Sequence, residues 1–350
     1  MKAVRIVGGG LSGLTTAIQL ARRGVAVEVF ERRGERAAMP ELRCDAVENW
    51  TTAGDFGALL TGWAIDASPF HQVTSIDVCT FDGECHALAL HRPLFYLVKR
   101  GDEPGCLDRA LKDQALDLGV AIRHGQTLPR EQADVWAAGS PRGGFFLDVG
   151  ITFRTSLSDR AVVLFDTRLS PKACAYLLVI GGVGTVAVLL TEQFKLSRRL
   201  LGDAVAAFQR ILPFELRDAR LRGGFGGTMT AVGAGSPAPL AVGEAAGFLD
   251  YLWGFGIRHA MLSGVLAAHA LVEGENYEEL VAREIRPLVR SSLVNRRLYD
   301  RAGNRVYRAL IRTLCGRRDL PELLHRAYRS GAIRAVFWRW VARSSPGGMA

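Results

Sequence analysis

The sequence predicts an α/β fold: a parallel nucleotide-binding sheet, an antiparallel β domain and a helical C-terminal tail. Three observations carry this. The first 31 residues read strand, glycine turn, helix, strand, the pattern of a βαβ unit. Residues 141–222 are dominated by short β-like runs. A second glycine-rich turn at 243–256 again precedes a helical pattern.

Lys2–Val7 is the first strand, and Gly8-Gly9-Gly10-Leu11-Ser12-Gly13 follows it directly. Gly8 permits the tight turn, Gly10 lets a pyrophosphate approach the backbone, and Gly13 lets helix and strand pack closely. Ser12 lies within the same turn. Ala17 and Leu20 keep helical spacing, Gly24 stops the helix, and Val25–Phe30 ends in Glu31 followed by Arg32. Glu31 suits the ribose hydroxyls of an adenosine, and its charge repels a 2′-phosphate. The unpaired N–H groups of the helix favour phosphate. This stretch is read as an adenine dinucleotide site.

The 350 residues give room for about two domains. With the first strand starting at Lys2, no signal peptide is expected before it. The six cysteines (44, 79, 85, 106, 174, 315) form no C-x-x-C pair or metal-ligand spacing, so they are expected as free thiols in a reducing cytoplasm. Ala173–Leu190 is uncharged and nearly long enough to span a bilayer, but Gly181-Gly182-Val183-Gly184 interrupts it, and two buried strands joined by a turn fit better. Charge is uneven. Residues 281–350 hold 16 Arg, no Lys and four acids, a net +12 in a chain of +9, so the basic character belongs to the tail.

Val73–Phe81 and Cys85–Leu90 are strand candidates in a segment suited to substrate contacts. Leu94–Lys99 is another strand, and Asp102-Glu103-Pro104 reads as the start of a helix whose apolar face is Leu107, Ala110, Leu111, Ala115 and Leu118. Val120–His124 and Ala133–Ala138 return the chain to the nucleotide-binding sheet. Strands are expected at Gly144–Thr155, Ala161–Thr167, Ala173–Ile180 and Thr185–Thr191, and a helix at Leu201–Ile211. Leu240–Val242 leads into Gly243-Glu244 and Gly254-Phe255-Gly256, with a helix from Ile257 and Asp250 as its cap. In the helical tail, Arg301, Arg305, Arg308 and Arg312 share one face, with Val306, Leu310 and Leu314 opposite.

Together these stretches resemble the geranylgeranyl reductase-like group of the aromatic-hydroxylase flavoprotein superfamily, over about residues 1–275. Gly8, Gly10, Gly13 and Glu31 match its FAD-adenosine motif. Gly243-Glu244 matches a second FAD motif, normally Gly-Asp. Ala245–Phe248 and Gly254-x-Gly256-Ile257 match the loop around the flavin pyrimidine edge, and Arg100 matches an arginine near FAD. Cys44-Asp45 stands where archaeal-type reductases carry Cys-Gly. The chain departs at Ala138-Gly139, where the hydroxylases have Asp-Gly, at Tyr251 in place of proline, and at Tyr176–Gly181, a degraded Tyr-x-Trp-x-Phe-Pro.

The resemblance implies a two-dinucleotide-binding-type FAD (Rossmann-like) domain formed by 1–45, 91–140 and 236–275. A substrate sheet domain would come from 46–90 and 141–235, and a basic helical region from 276–350. It implies FAD as cofactor, no metal, and hydride transfer from reduced flavin to a carbon–carbon double bond of an apolar, isoprenoid- or polyketide-like substrate. The alternatives are a flavin monooxygenase or halogenase and a flavin-fold accessory protein. Cys44, Tyr176 and His259 are the candidate catalytic residues, each with an ordinary core role as its rival. Trp253 and Phe255 are candidate walls. No second nucleotide fold is visible, so the electron donor, NAD(P)H or a reduced carrier, is external. The Arg-rich tail is read as a solvated surface, as a peripheral contact with anionic lipid or a pyrophosphorylated substrate, or as a docking surface for a partner protein. No nucleic-acid module accompanies it. The halogenase Trp-x-Trp-x-Ile-Pro signature is absent, since Trp338-Arg339-Trp340 lies in the tail with the wrong continuation.

Overall fold

β1 (Val4–Val7) turns through glycines into α1 (Leu11–Ala21) and then β2 (Val27–Glu31), which pairs in parallel with β1, Val4 opposite Val27. The computed structural model describes residues 2–35, 42–67, 70–140, 144–227 and 239–329, so Trp338 and Trp340 lie outside the described residues. From Leu11 to Leu20 every residue of α1 is buried. Its polar side chains therefore need internal partners. Thr16 Oγ1 donates to Ser12 O at 2.8 Å, and Gln19 Nε2 to Trp63 O at 2.6 Å.

β8 (Ala121–His124) pairs beside β2, while β9 (Val135–Trp136) and β15 (Leu240–Ala241) extend the other side of β1. The order β15-β9-β1-β2-β8 is parallel throughout. Its direction of growth reverses between β1 and β9, and the carboxyl ends of such strands frame a ligand crevice. The helix expected from Asp102 starts later. Cys106 N donates to Glu103 O in a turn, and α3 (Leu107–Asp117) begins after it with Asp108 in its first turn. Gly119, at φ +80, ends the segment as expected.

The second domain is a seven-stranded sheet, built mainly from β10 (Phe146–Arg154), β11 (Arg160–Phe165), β12 (Ala175–Ile180), β13 (Val183–Leu190) and β14 (Arg217–Gly226). β5 (Ser75–Thr80) and β6 (Cys85–Ala89) complete the order β14-β10-β13-β12-β11-β5-β6. Residues 173–190 form the β12–β13 hairpin, turning at Gly181 and Gly182, both at positive φ. One face of it packs on α4 (Ser197–Ile211) through Leu177, Val179, Val186 and Val188. The other meets a small antiparallel sheet of β3 (Arg43–Glu48), β7 (Phe95–Arg100) and β4 (His71–Val73). A short helix, α2 (Phe56–Gly62), lies between β3 and β4 in the chain, capped by the Asp55 side chain. Thus β7 joins the seam between the domains, not the parallel sheet. Among the described residues, no helix is long and apolar enough to cross a membrane.

Two expectations are corrected here. Cys79 and Cys85 are not free. They stand directly opposite across the β5–β6 hairpin, Cα atoms 4.1 Å apart, and form a disulfide, while Cys44, Cys106, Cys174 and Cys315 remain thiols. The six-residue separation hid a pair that the hairpin register creates. The expectation of a reducing compartment loses that support. The second correction concerns α8 (Asn304–Leu314), which follows α5 (Ile257–Glu273), α6 (Tyr277–Glu284) and α7 (Arg286–Tyr299). Tyr307 and Ile311 take its inward face, and Tyr307 stacks on Tyr299 with centroids 4.6 Å apart. Arg308 and Arg312 reach Asp82 and Glu84 in the hairpin turn at 2.7 Å, so Val306 and Leu310 are turned outward, 54% and 53% exposed.

α5 crosses α1 at very short range. A Cβ on Gly264 would stand 2.6 Å from the carbonyl oxygen of Ser12, and one on Gly243 2.8 Å from Ser12 Oγ. Gly264→Ala should therefore destabilise the fold by about 1–3 kcal/mol, the usual range for overpacking. Urea unfolding measures this, and unchanged stability would mean the crossing has slack that the structure does not contain.

Candidate functional site

The crevice between β1 and β9 is shaped by three glycines with different tasks. Gly8 lies at φ +110, and a Cβ there would be 2.2 Å from Ala137 O. A Cβ on Gly13 would be 2.0 Å from Gly8 O, but at Gly10 nothing stands within 4 Å. Two glycines thus close the turn, and the third leaves open an approach to the N-terminal amides of α1, where negative charge is favoured. Glu31, at the end of β2, accepts hydrogen bonds from Gly9 N and Arg33 N, each at 2.9 Å, and Arg32 beside it is exposed.

The second turn docks on the first. Gly243, at φ +61, donates its N–H to Ser263 Oγ at 2.8 Å. The following loop closes on itself: Asp250 N donates to Phe255 O and Gly254 N to Asp250 O, both at 2.8 Å. Asp250 Oδ1 accepts from Leu252 N and Trp253 N, and Oδ2 accepts from the Tyr328 hydroxyl at 2.5 Å, in α9 (Leu320–Tyr328). Asp250 therefore caps this loop, not α5 as expected. Gly254, at φ +79, and Gly256 deliver the chain to Ile257, the first residue of α5. Burial raises the Glu244 carboxyl, and Arg100 and Arg43 oppose the rise.

Asp45 links this crevice to the seven-stranded sheet. Arg43 Nε grips it at 2.9 Å and Arg100 Nη1 lies 3.3 Å away, while the other arm of Arg100 holds Asp108 bidentately at 2.6 and 2.7 Å. Burial pushes the Asp45 carboxyl up, but Arg43, Arg100 and Arg222 outweigh it and hold it below its ordinary value. On the facing sheet, one row of side-by-side residues runs Arg222, Gly150, Ala187, Tyr176 across four strands. The two small residues let the outer pair meet: Arg222 Nη2 donates to Tyr176 Oη at 3.0 Å. Tyr176 donates to Asp148 Oδ1 at 3.0 Å, and Arg222 Nη1 to Asp148 Oδ2 at 2.5 Å. Burial, reinforced by Asp148, raises the Tyr176 phenol well above its usual value, so it stays neutral. Asp148 and Arg222 were missed from sequence because only strand register brings them to Tyr176, and Asp45 because it comes from a different sheet.

Cys44 and His259 lie elsewhere. Cys44 is fully buried with Val73, Phe95, Leu97 and Leu178, and its N–H donates to Thr185 Oγ1 at 3.0 Å. Burial, then the Asp45 charge, raises its thiol well above 9. His259, in the first turn of α5, is buried with Nδ1 3.6 Å from Glu48 Oε1. Arg258 beside it donates to Glu48 O at 3.1 and 2.9 Å, to Asn49 Oδ1 at 3.1 Å and to Thr52 Oγ1 at 3.0 Å, and lies over the Phe56 ring. Burial pushes Glu48 up to about 7 against the pull of Arg258, and pushes His259 down to about 3 with Arg258 adding to the fall. Burial likewise lifts Asp250 to about 6.

These directions fix a sign. Between pH 4.5 and about 7 the folded chain keeps a proton on Glu48 that the unfolded chain has lost, so the contribution of Glu48 to stability falls as pH rises through that window. Each pH unit of that window is worth about 1.4 kcal/mol, so Glu48→Gln should remove a decline of about 3 kcal/mol, leaving the opposed shares of Asp250, which falls as pH rises to about 6, and His259, which rises with pH from about 3 to 6.5. Unfolding midpoints taken from pH 4 to 8 check this, and an unchanged slope in the variant would show that Glu48 is not its source.

The NAD(P)-binding Rossmann-like domain family matches residues 6–37, the span of the first glycine turn and Glu31. No curated protein matches the sequence. Among solved structures, a geranylgeranyl bacteriochlorophyll reductase-like protein from Thermoplasma acidophilum superposes with a TM-score of 0.70 at 15% identity, covering 90% of this chain and 91% of its own. The p-nitrophenol 4-monooxygenase PnpA from Pseudomonas putida DLL-E4 gives 0.64 at 14% identity, with 93% and 96% covered. The flavin-dependent brominase Bmp2 gives 0.60 at 16% identity, with 97% and 98% covered. The chain therefore has the flavoprotein fold that a geranylgeranyl reductase-like protein, a monooxygenase and a halogenase share.

Proposed function

We propose that this chain is an FAD-dependent oxidoreductase that reduces a carbon–carbon double bond, taking electrons from an external donor, NAD(P)H or a reduced carrier. The observation that carries the reading is the docking of the second glycine turn, at Gly243, on Ser12 in the first turn of α1, whose N-terminal amides Gly10 leaves open. The residues present fit FAD: Gly10 leaves the approach to the α1 amides open, and Gly243 packs against Ser12 without a side chain. Gly8, Gly10, Ser12 and Gly13 would hold the pyrophosphate, Glu31 and Arg32 the adenosine ribose, and Arg100, Gly243 and Glu244 the region beyond. Gly254, Gly256 and Ile257 would border the flavin ring, with the α5 N-terminus favouring negative charge there. The cofactor supplies hydride chemistry when bound.

The protein's part is to orient the substrate and hold a proton. The row Arg222–Gly150–Ala187–Tyr176 offers a floor of small residues with a neutral phenol at one end. Tyr176 gives its proton to the substrate carbon opposite the one that receives hydride. Arg222, 3.0 Å away, stabilises the phenolate left behind, and Asp148 fixes the direction of the hydroxyl. Cys44, enclosed in an apolar cluster, suits that task less well. The same Tyr176–Arg222 pair would also seat a phenol, which favours a monooxygenase as the second reading. Outward-facing Val306 and Leu310 beside Arg305 support peripheral contact with anionic lipid.

The test begins with the visible spectrum of the purified protein. FAD should be present or taken up, and Gly10→Val should lose it with the thermal midpoint unchanged. No flavin in the wild type, even after reconstitution, would sink the reading. Under anaerobic reduction, lipid-like alkenes should be saturated. Tyr176→Phe should slow this about 100-fold with little change in KM, the lower end of what a general acid contributes. Oxygen-dependent hydroxylation of phenols, with alkenes untouched, would establish the monooxygenase instead.

A further inference from the structure

Five polar side-chain atoms in one buried group have no hydrogen-bond partner among the described residues: both carboxylate oxygens of Glu48, Thr51 Oγ1, and both ring nitrogens of His259. Exposure of the three residues is 0%, 2% and 1%. A buried polar group left unmet costs about 1–3 kcal/mol, so a cluster of this kind calls for a reason beyond stability. The closest charged approaches to Glu48 Oε1 are His259 Nδ1 at 3.6 Å and Arg258 Nε at 3.8 Å. Arg258 directs its N–H groups at Glu48 O, Asn49 and Thr52, so it lends charge to the carboxyl without bonding it.

The surroundings leave one place for a mobile proton. Arg258 faces the pair from α5, Asp250 from the loop before it, and Tyr328 from α9. Asp250 is occupied by two backbone N–H groups and the Tyr328 hydroxyl, and Arg258 stays charged. Among the titratable groups here Glu48 and His259 keep lone pairs without a close hydrogen bond, and the Thr51 hydroxyl and Glu48 N–H beside the carboxyl do not titrate. Both stand at the first turn of α5, whose N-terminus borders the proposed flavin ring: His259 is three residues beyond Gly256, the cap of α5, and Glu48, the last residue of β3, lies beside it.

Resting on the FAD reading above, we propose that Glu48 and His259 form a buried proton-holding pair that gains one proton when a flavin at the head of α5 is reduced. The external donor, a reduced nicotinamide or carrier, supplies two electrons. Negative charge then grows at the helix end, and one proton enters the pair from solvent. When substrate reduction withdraws the electrons, the pair returns that proton to solvent. Both are positioning residues: they touch neither substrate nor the carbon that is reduced.

The experiment is a redox titration of the flavin-loaded protein from pH 5 to 9, wild type against Glu48→Gln and His259→Asn, with reduced-minus-oxidised infrared spectra of each. Wild type should take up one proton more per two electrons than either variant across neutral pH. Its difference spectrum should carry a protonated-carboxyl or imidazole band that Glu48→Gln or His259→Asn abolishes. Glu48→Asp, which restores the acid, should recover the count, and it serves as the comparison if Glu48→Gln fails to fold. Flavin bound in all proteins with equal proton counts would overturn the pair and leave the FAD reading standing. A wild type that binds no flavin would overturn both.

Discussion

The crossing of α1 and α5 at Ser12 is the constraint on which the rest depends. Ser12 O has room only for the missing side chain of Gly264, and Ser12 Oγ only for that of Gly243. Residues some 230–250 positions apart in the chain are thereby locked at backbone distance. α1 itself is fixed from the other side, where Gly8 and Gly13 press against Ala137 and each other. The N-terminal end of α1, whose N–H groups carry partial positive charge, is held at this crossing beside the second glycine turn. The geometry that makes the fold compact therefore also fixes an end where negative charge is favoured.

β3 transmits this arrangement to the second domain through its alternation. Arg43 and Asp45 face the parallel-sheet side, where Arg100 and Asp108 complete the charge balance, and Val47 enters the core there. Cys44 and Ala46 face the opposite way, into the apolar cluster shared with β12 and the C-terminal helices. Buried charges are tolerable when paired and hydrogen-bonded. Asp45 meets that condition by drawing on Arg43 and Arg100, with Arg222 of the seven-stranded sheet adding to the field. One carboxylate thus ties the charge balance beside the glycine turns to that of the seven-stranded sheet.

What could be read from sequence follows the range of the interactions. Gly8 to Glu31 is a local unit, and its turn, helix stop and terminal acid all fall where their spacing puts them. The hairpin at Gly181-Gly182 was legible for the same reason. Tyr176 could be singled out, but Asp148 and Arg222 could not. Their meeting depends on the register of four strands and on Gly150 and Ala187 between them. Cys44 had the right chain position beside Asp45, yet a period of two sends adjacent side chains to opposite faces. The amphipathic pattern of α8 was real. Its rotation was decided by Asp82 and Glu84, more than 200 residues away, which no helical period contains.

The two polar centres differ in a way that separates their tasks. Around Asp45 and Tyr176 every charge has a partner at hydrogen-bond distance, so that centre is held in one arrangement. Around Glu48 and His259 the carboxyl and imidazole approach without bonding, and burial drives their affinities for a proton in opposite directions. A satisfied network orients; an unsatisfied acid–base pair responds to charge. An apolar replacement at Glu48 would relieve a desolvation penalty that the observed structure carries in full. Placing that penalty at the head of α5, where the proposed cofactor changes charge, gives the cost a physical counterpart. The same pair placed under α4, remote from either glycine turn, would have none.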